Sequence, residues 1–161
     1  SKALSACLRH RGPRSMRPDG FAPLPDVCRS VGASAERILE LCRPLPGEKV
    51  RFELREEGVG CWIRATHGHS DRRVHDAAAH QQIFQPLGVL VHGTRANCVA
   101  SILQASLKSM GRKHVHFVDS DSDADILQGF RAGCDSLVYV DMADAMLCGL
   151  DFFRTPDGMI V

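Results

Sequence analysis

A chain of 161 residues has room for one ordinary domain or two small ones. Its 44% hydrophobic and 24% charged residues match a soluble globular protein, and no apolar run reaches the about 18 residues of a transmembrane helix, so no membrane partner is expected. The net charge of +1 is unevenly divided: residues 1–80 carry 14 Lys+Arg against 10 Asp+Glu, and residues 81–161 carry 6 against 9, so the first half is the one suited to a polyanion.

Ser1-Lys2-Ala3 opens directly into an amphipathic run instead of a leader, with Ala3, Leu4, Cys7 and Leu8 on one helical face and Arg9-His10 at the helix end. Gly12-Pro13 and Pro18-Asp19-Gly20 mark a loop. Pro25 to Val31 predicts a short helix stopping at Gly32. Ser34 predicts the cap of another, with Ile38, Leu39, Leu41 and Cys42 apolar and Pro44, Pro46 and Gly47 ending it. The period then changes to two. Val50, Phe52 and Leu54 alternate with charged residues, Glu56 to Gly60 reads as a turn, and Cys61 to Thr66 as a second strand. Three helices and a β-hairpin look like a winged helix. The polar residues 71–82 read as a linker. Gly88 to Thr94 reads as a buried strand, followed by a helix with Val99, Ile102, Leu103 and Leu107 on one face. Further strands are expected at 114–118, 136–142, 152–153 and 159–161, with a loop at 119–125.

The seven cysteines stand singly, none at C-x-x-C spacing, which favours buried thiols in a reducing cytoplasm while leaving one or two disulfides open. The pairs His67/His69 and His114/His116 have the His-x-His spacing of a zinc site, but no third ligand is evident and no metal is expected. The acidic run Asp119 to Asp125 fails as a calcium loop, since Ala124 and Phe130 stand where Gly and Glu are needed.

Several residues suit anion or ligand chemistry. Arg9-His10 offers a two-pronged guanidinium and an imidazole to a phosphate, although a solvated helix end explains the pair as well. Arg64 lies off the small-apolar face of its strand, where local sequence alone favours a surface arginine. His92-Gly93-Thr94 ends a strand beside a glycine, where a flat ligand can approach the backbone. His116 follows two positions after His114, and Arg131 follows Gly129-Phe130.

The order of these segments carries more than any one of them. Ser1-Lys2-x-Leu4-Ser5 through Arg9-His10, Asp19-Gly20-Phe21, Lys49-x-Arg51-Phe52, and Ile63-Arg64-Ala65-x-x-Gly68-His69-Ser70 come first. Leu90 to Thr94, His114 to Phe117, Gly129-Phe130-Arg131, and Phe152-Phe153-Arg154 leading to Gly158-Met159-Ile160 follow. This succession resembles the NAD-dependent RNA 2′-phosphotransferase family along essentially the whole chain.

The resemblance implies an α+β protein with a winged-helix-like RNA-binding lobe at residues 1–75 and an ADP-ribosyltransferase-like mixed β lobe, binding NAD, at 83–161. It implies removal of an internal 2′-phosphate from tRNA-like RNA of the splice-junction type. The 2′-phosphate attacks C1″ of NAD and expels nicotinamide; the ribose 2″-OH then attacks the new phosphodiester, giving 2′-OH RNA and ADP-ribose 1″,2″-cyclic phosphate. Arg9, His10, Arg64 and Arg131 are the implied catalytic residues, and His92, Gly93, Thr94 and His116 the implied NAD-binding ones. A cytoplasmic monomer is expected. The sequence departs from the family pattern at His67 (usually Gln), Phe130 (usually Met) and Gln128 (usually Ser). It also stops at Val161, before a final Gly- and Pro-rich segment whose absence is expected to weaken NAD binding. Two rival readings are an ADP-ribosyltransferase acting on a protein or a terminal phosphate, and a non-enzymatic winged-helix nucleic-acid-binding protein.

Overall fold

The structure, a computed structural model, describes residues 1–44, 46, 50–119 and 133–161. Arg131 with its neighbours Gln128, Gly129 and Phe130, Lys49, and the acidic stretch after Asp119 lie outside the described residues. The chain forms two compact units, Ser1–Gln81 with Thr155–Asp157, and Gln82–Arg154 with Gly158–Val161.

In the first unit, α1 (Lys2–His10) buries Leu4, Cys7 and Leu8, spaced to share one helical face. Ser1 holds the N-cap position but makes no side-chain cap bond. The second helix, α2 (Leu24–Val31), takes Pro25 in its first turn and ends at Gly32, whose φ of 66° only glycine adopts freely. In α3 (Ala35–Cys42), Ser34 Oγ accepts from the Arg37 N–H at 3.3 Å, as its sequence position predicts. These helices pack on an antiparallel sheet of β1 (Ala22–Pro23), β2 (Phe52–Glu57) and β3 (Gly60–Ala65), in the order β1-β3-β2. The hairpin turn is shorter than expected: Glu56 pairs with Cys61 and Glu57 with Gly60, leaving only Gly58 and Val59 outside the ladder. Gly58 takes a φ of 59°, which permits so tight a reversal. The two-residue β1 has no strand signature of its own, and its proline sits where an edge strand tolerates one.

Residues 71–81 are not a linker. Val74 and Ala79 are 1% and 4% exposed and belong to the first unit's core, and a single helical turn, α4 (Asp76–Ala79), follows Val74. The polar composition concealed two buried anchors. The segment matters because the Ala79 carbonyl covers the second face of β3, where Arg64 lies.

In the second unit, β5 (Val89–Thr94) is the centre of an antiparallel sheet with β6 (Val118–Asp119) and β7 (Ser136–Asp141), while β4 (Gln81–Ile83) pairs with β8 (Phe152–Arg154). Leu90, Phe117, Met142, Phe152 and Ile160 form its core. The strand expected at 114–118 is reduced to an isolated bridge, Phe117 to Ile160, before β6. The strand expected to run to Met142 stops one residue earlier, because the Asp141 carboxylate accepts from the Ala143 and Asp144 N–H groups and starts α6 (Met142–Leu147). The helix α5 (Ala96–Ala105) buries none of its residues. It ends at Ser106, so Leu107 reaches the core from beyond the helix, and Leu103 stays 83% exposed. All seven cysteines are free thiols, and burial pushes Cys42 up to about 11.

Candidate active site

The last carbonyls of a helix need donors from elsewhere. In α1 the Arg9 carbonyl receives the N–H groups of Ser70 (2.7 Å) and Asp71 (3.2 Å), which docks the Gly68-His69-Ser70 segment onto the helix end. The docking is close. Gly68 adopts a φ of 80°, and a Cβ there would lie 3.6 Å from Cδ, Nε and Cζ of Arg9. His10 Nδ1 and Ser70 Oγ meet at 2.8 Å on the exposed side. A second clamp holds the loop after the helix. The Arg73 guanidinium donates to the Asp71 carboxylate and to the Gly12 and Pro13 carbonyls, while Asp71 Oδ2 accepts from the Gly12 N–H. The hydrogen bonds from Arg73 are the main reason that Asp71 titrates as low as about 2.

Arg9 is half-buried, and its side chain has no acceptor among the described residues; its Nε is sealed from water as well. Burial lowers its basicity, Asp157 raises it, and the neighbouring exposed Arg51 lowers it. A donor left in this state costs about 1–3 kcal/mol, a cost that an anion at this position would relieve.

Arg64 contrasts with it. Local sequence pointed to a surface residue, yet Arg64 is 8% exposed, because the Asp19–Phe21 turn and residues up to Ala79 cover that face of β3. Its Nε donates to Glu53 Oε2 at 2.8 Å, its Nη2 lies 2.7 Å from the same oxygen as an ion pair, and its Nη1 donates to the Asp19 and Ala79 carbonyls at 3.0 and 3.1 Å. Glu53 is its direct cross-strand partner, and the guanidinium lies 4.6 Å over the Phe21 ring. Three of its five N–H donors are thereby hydrogen-bonded; Nη2, held to Glu53 as an ion pair, keeps an N–H free of any hydrogen bond among the described residues.

His69 lies among these cations, 3% exposed, with neither ring nitrogen hydrogen-bonded. Its ring stands 6.2 Å from that of His80, and Gly20 comes so near that a Cβ there would lie 3.0 Å from Nε2. Burial first, then His80, Arg9, Arg64 and His67, lower its pKa to about 3. The folded value is below the unfolded one, so the unfolded chain takes up the proton first. This site therefore removes stability as pH falls from the unfolded value toward 3, by up to about 1.4 kcal/mol per pH unit. The His69 ring protons are expected to show no NMR titration step between pH 8 and pH ~4 in the folded protein; a midpoint near pH ~6.5 would show the ring to be solvated.

Two further residues join this group without a sequence signal. Asp157 packs with the first unit from 90 residues beyond His67, placing Oδ2 2.8 Å from His67 Nδ1, while Thr155 Oγ donates to Oδ1 at 2.7 Å. Burial pushes the Asp157 carboxyl up, but His67 and Thr155 together hold it below its ordinary value. The segment 64–70 was quoted above as a motif; only the structure gives Gly68, Ser70 and His67 separate contacts. His67 and His69 lie outside the strand frame that the His-x-His spacing assumes, because the chain leaves the strand at Ala65.

In the second unit, His92 Nδ1 lies 2.8 Å from the His116 carbonyl and its ring meets Phe117 edge-on at 5.9 Å. A carbonyl only accepts, so Nδ1 carries the proton and Nε2 presents a lone pair. His116 thus meets His92 through its backbone. Gly93 and Thr94 complete β5 and are half-buried, and the Thr94 carbonyl accepts from the Asp135 N–H at 3.1 Å.

The whole chain, residues 1–161, matches the family model described as RNA 2′-phosphotransferase, Tpt1/KptA family. It is 32% identical to the human protein named tRNA 2′-phosphotransferase 1, aligning over all of this chain and 67% of that one. A Schizosaccharomyces pombe protein with a provisional tRNA 2′-phosphotransferase name is 31% identical over all of this chain, which spans only 46% of its length. An Acaryochloris marina protein with a provisional RNA 2′-phosphotransferase name is 32% identical, over 99% of this chain and 87% of its own. The chain therefore belongs to the RNA 2′-phosphotransferase family of transferases, whose reaction removes the 2′-phosphate at tRNA splice junctions.

Proposed function

We propose that this chain removes an internal 2′-phosphate from tRNA-like RNA by transferring it to NAD. The observation that carries the reading is the Arg9 guanidinium, half-buried and without an acceptor among the described residues, next to the exposed His10–Ser70 pair. A phosphate monoester is mostly dianionic at neutral pH (second pKa about 6), so it needs no activating base but does need positioning. Arg9 supplies a two-pronged donor to its oxygens, and Arg64 adds its remaining Nη2–H from a fixed frame. Arg131 is assigned to the same phosphate by its place in the family pattern. His10 binds the phosphate and, as the exposed imidazole, protonates the departing RNA 2′-oxygen. These preorganised donors are most effective on the charge that develops on the phosphoryl oxygens in the second step.

NAD is a co-substrate in this reading, and it supplies an electrophilic ribose carbon with nicotinamide as a neutral leaving group. The residues around His92 suit it. The His116 carbonyl fixes the His92 ring with Nε2 as an acceptor, the right polarity for a carboxamide N–H. Gly93 and Thr94 continue the same strand and are assigned to the nicotinamide riboside. No metal is required. The helices and three-stranded sheet of the first unit are proposed as a winged-helix-like RNA-binding lobe, the second unit as an ADP-ribosyltransferase-like lobe, and the protein as a cytoplasmic monomer.

Incubation with NAD and a 2′-phosphorylated oligonucleotide is expected to release nicotinamide and leave a 2′-OH. Nicotinamide release without phosphate loss would assign the protein to another ADP-ribosyl transfer. RNA affinity is expected to fall steadily with rising salt, by about 0.7 log unit per log unit of salt for each single-strand phosphate contacted; a flat profile in filter binding would remove the backbone-tracking role from the basic half.

A further inference from the structure

The Asp157 carboxylate is 2% exposed, and its Oδ2 is sealed from water without an aligned hydrogen bond. The Arg9 Nε is likewise sealed and has no acceptor among the described residues, and Asp157 is near enough to raise the basicity of Arg9. A carboxylate and a guanidinium in this condition ordinarily close into a bidentate pair. Here they do not, and the residue that meets the carboxylate instead is His67. Its Nδ1 lies 2.8 Å from Asp157 Oδ2 and 3.3 Å from Thr66 Oγ, whose own proton is donated to the Val50 carbonyl, so Nδ1 is the protonated nitrogen. Gly68, the next residue, is the one against which the Arg9 side chain rests.

We propose that His67 is a positioning residue for Arg9: by occupying Asp157 it keeps that carboxylate from capturing the guanidinium that takes the RNA 2′-phosphate. The inference rests on the phosphate-binding reading of Arg9. Without the imidazole, Asp157 pairs with Arg9, and an incoming phosphate has to displace an internal carboxylate. The penalty falls on the free enzyme, so it enters KM for RNA and leaves kcat largely unchanged.

The test is steady-state kinetics with NAD and a 2′-phosphorylated oligonucleotide. His67→Ala is expected to raise KM for RNA about tenfold while kcat stays within about twofold. Adding Asp157→Asn, which removes the competing charge, is expected to bring KM back to within about threefold of the original, and His67→Gln to stay in that range. A side chain that serves only to pack gives no such rescue, because a second substitution in the same cluster adds damage. If the double variant keeps the KM of His67→Ala, or His67→Ala leaves KM unchanged, the proposal is overturned. Normal turnover by Arg9→Ala, measured alongside, overturns the phosphate reading and this proposal together; loss of turnover there with no rescue in the double variant overturns this proposal alone. If thermal melting shows that His67→Ala does not fold, His67→Leu, which fills more of the space and equally lacks a donor, takes its place under the same criteria.

Discussion

Replacement of Arg64 by Ala is expected to cost the first unit about 2–4 kcal/mol of stability, and most of its turnover with it. The loss follows from what the guanidinium leaves behind. Glu53 Oε2 loses a donor and an ion-pair contact, the Asp19 and Ala79 carbonyls lose one donor each, and the Phe21 ring, fully buried, loses the cation stacked on it. Glu53 is 31% exposed and so regains water, which keeps the estimate below the upper range for a fully buried pair of about 5 kcal/mol. A surface arginine, which local sequence favours at this position, would lose activity alone and leave the fold intact. The buried network makes the substitution structural as well. Lysine keeps the charge but presents one point donor where three acceptors are spread around a planar fork, so Arg64→Lys is expected to recover little of the stability. Glu53→Gln, which keeps an acceptor oxygen, is expected to cost less than either. Urea unfolding at neutral pH decides: an Arg64→Ala midpoint equal to that of the parent is incompatible with the three hydrogen bonds and the ion pair.

How much of this was readable in the sequence depends on the range of the force involved. The limits of α2 and α3 were legible because Pro25, Gly32 and Ser34 act on their own turns. The register of Arg64 relative to Ile63 and Ala65 was legible because alternation along a strand is local. Its burial was not, because the residues that cover it belong to a polar stretch whose only apolar anchors are Val74 and Ala79. The face drawn through Val99, Ile102, Leu103 and Leu107 failed for a different reason. Periodicity says which residues align; it does not say that another layer is present to cover them, and Ser106 ends the helix before Leu107. At the candidate site the family pattern pointed to Arg9 and His10 without distinguishing a free guanidinium from a committed one. That distinction depends on Gly68, Ser70 and Asp157, which reach Arg9 across 59 or more positions of chain, beyond any local pattern.

Arg9 gives the opposite expectation to Arg64, and the pair of variants separates binding chemistry from architecture. Arg9→Ala removes a guanidinium that has no acceptor among the described residues, so the fold loses methylene packing on Gly68 and sheds an unmet buried donor. Stability is expected to change by less than about 1 kcal/mol. The carbonyl of residue 9, which holds Ser70 and Asp71, is unaffected by the side chain, so the docking of the 68–70 segment persists. Turnover, in contrast, is expected to fall by about 10²–10³-fold, the usual effect of deleting one preorganised donor from a developing oxyanion. Arg9→Lys is expected to fall between, since the charge survives and the two-pronged geometry does not. An independent readout needs no NAD. A 2′-phosphorylated oligonucleotide at 100 times its Kd raises the stability of the parent protein by about 2.7 kcal/mol, and the gain is expected to vanish in Arg9→Ala. A variant that melts like the parent, is stabilised by the oligonucleotide like the parent and turns over normally would leave the open guanidinium without a role, and the phosphate site would have to be sought away from the end of α1.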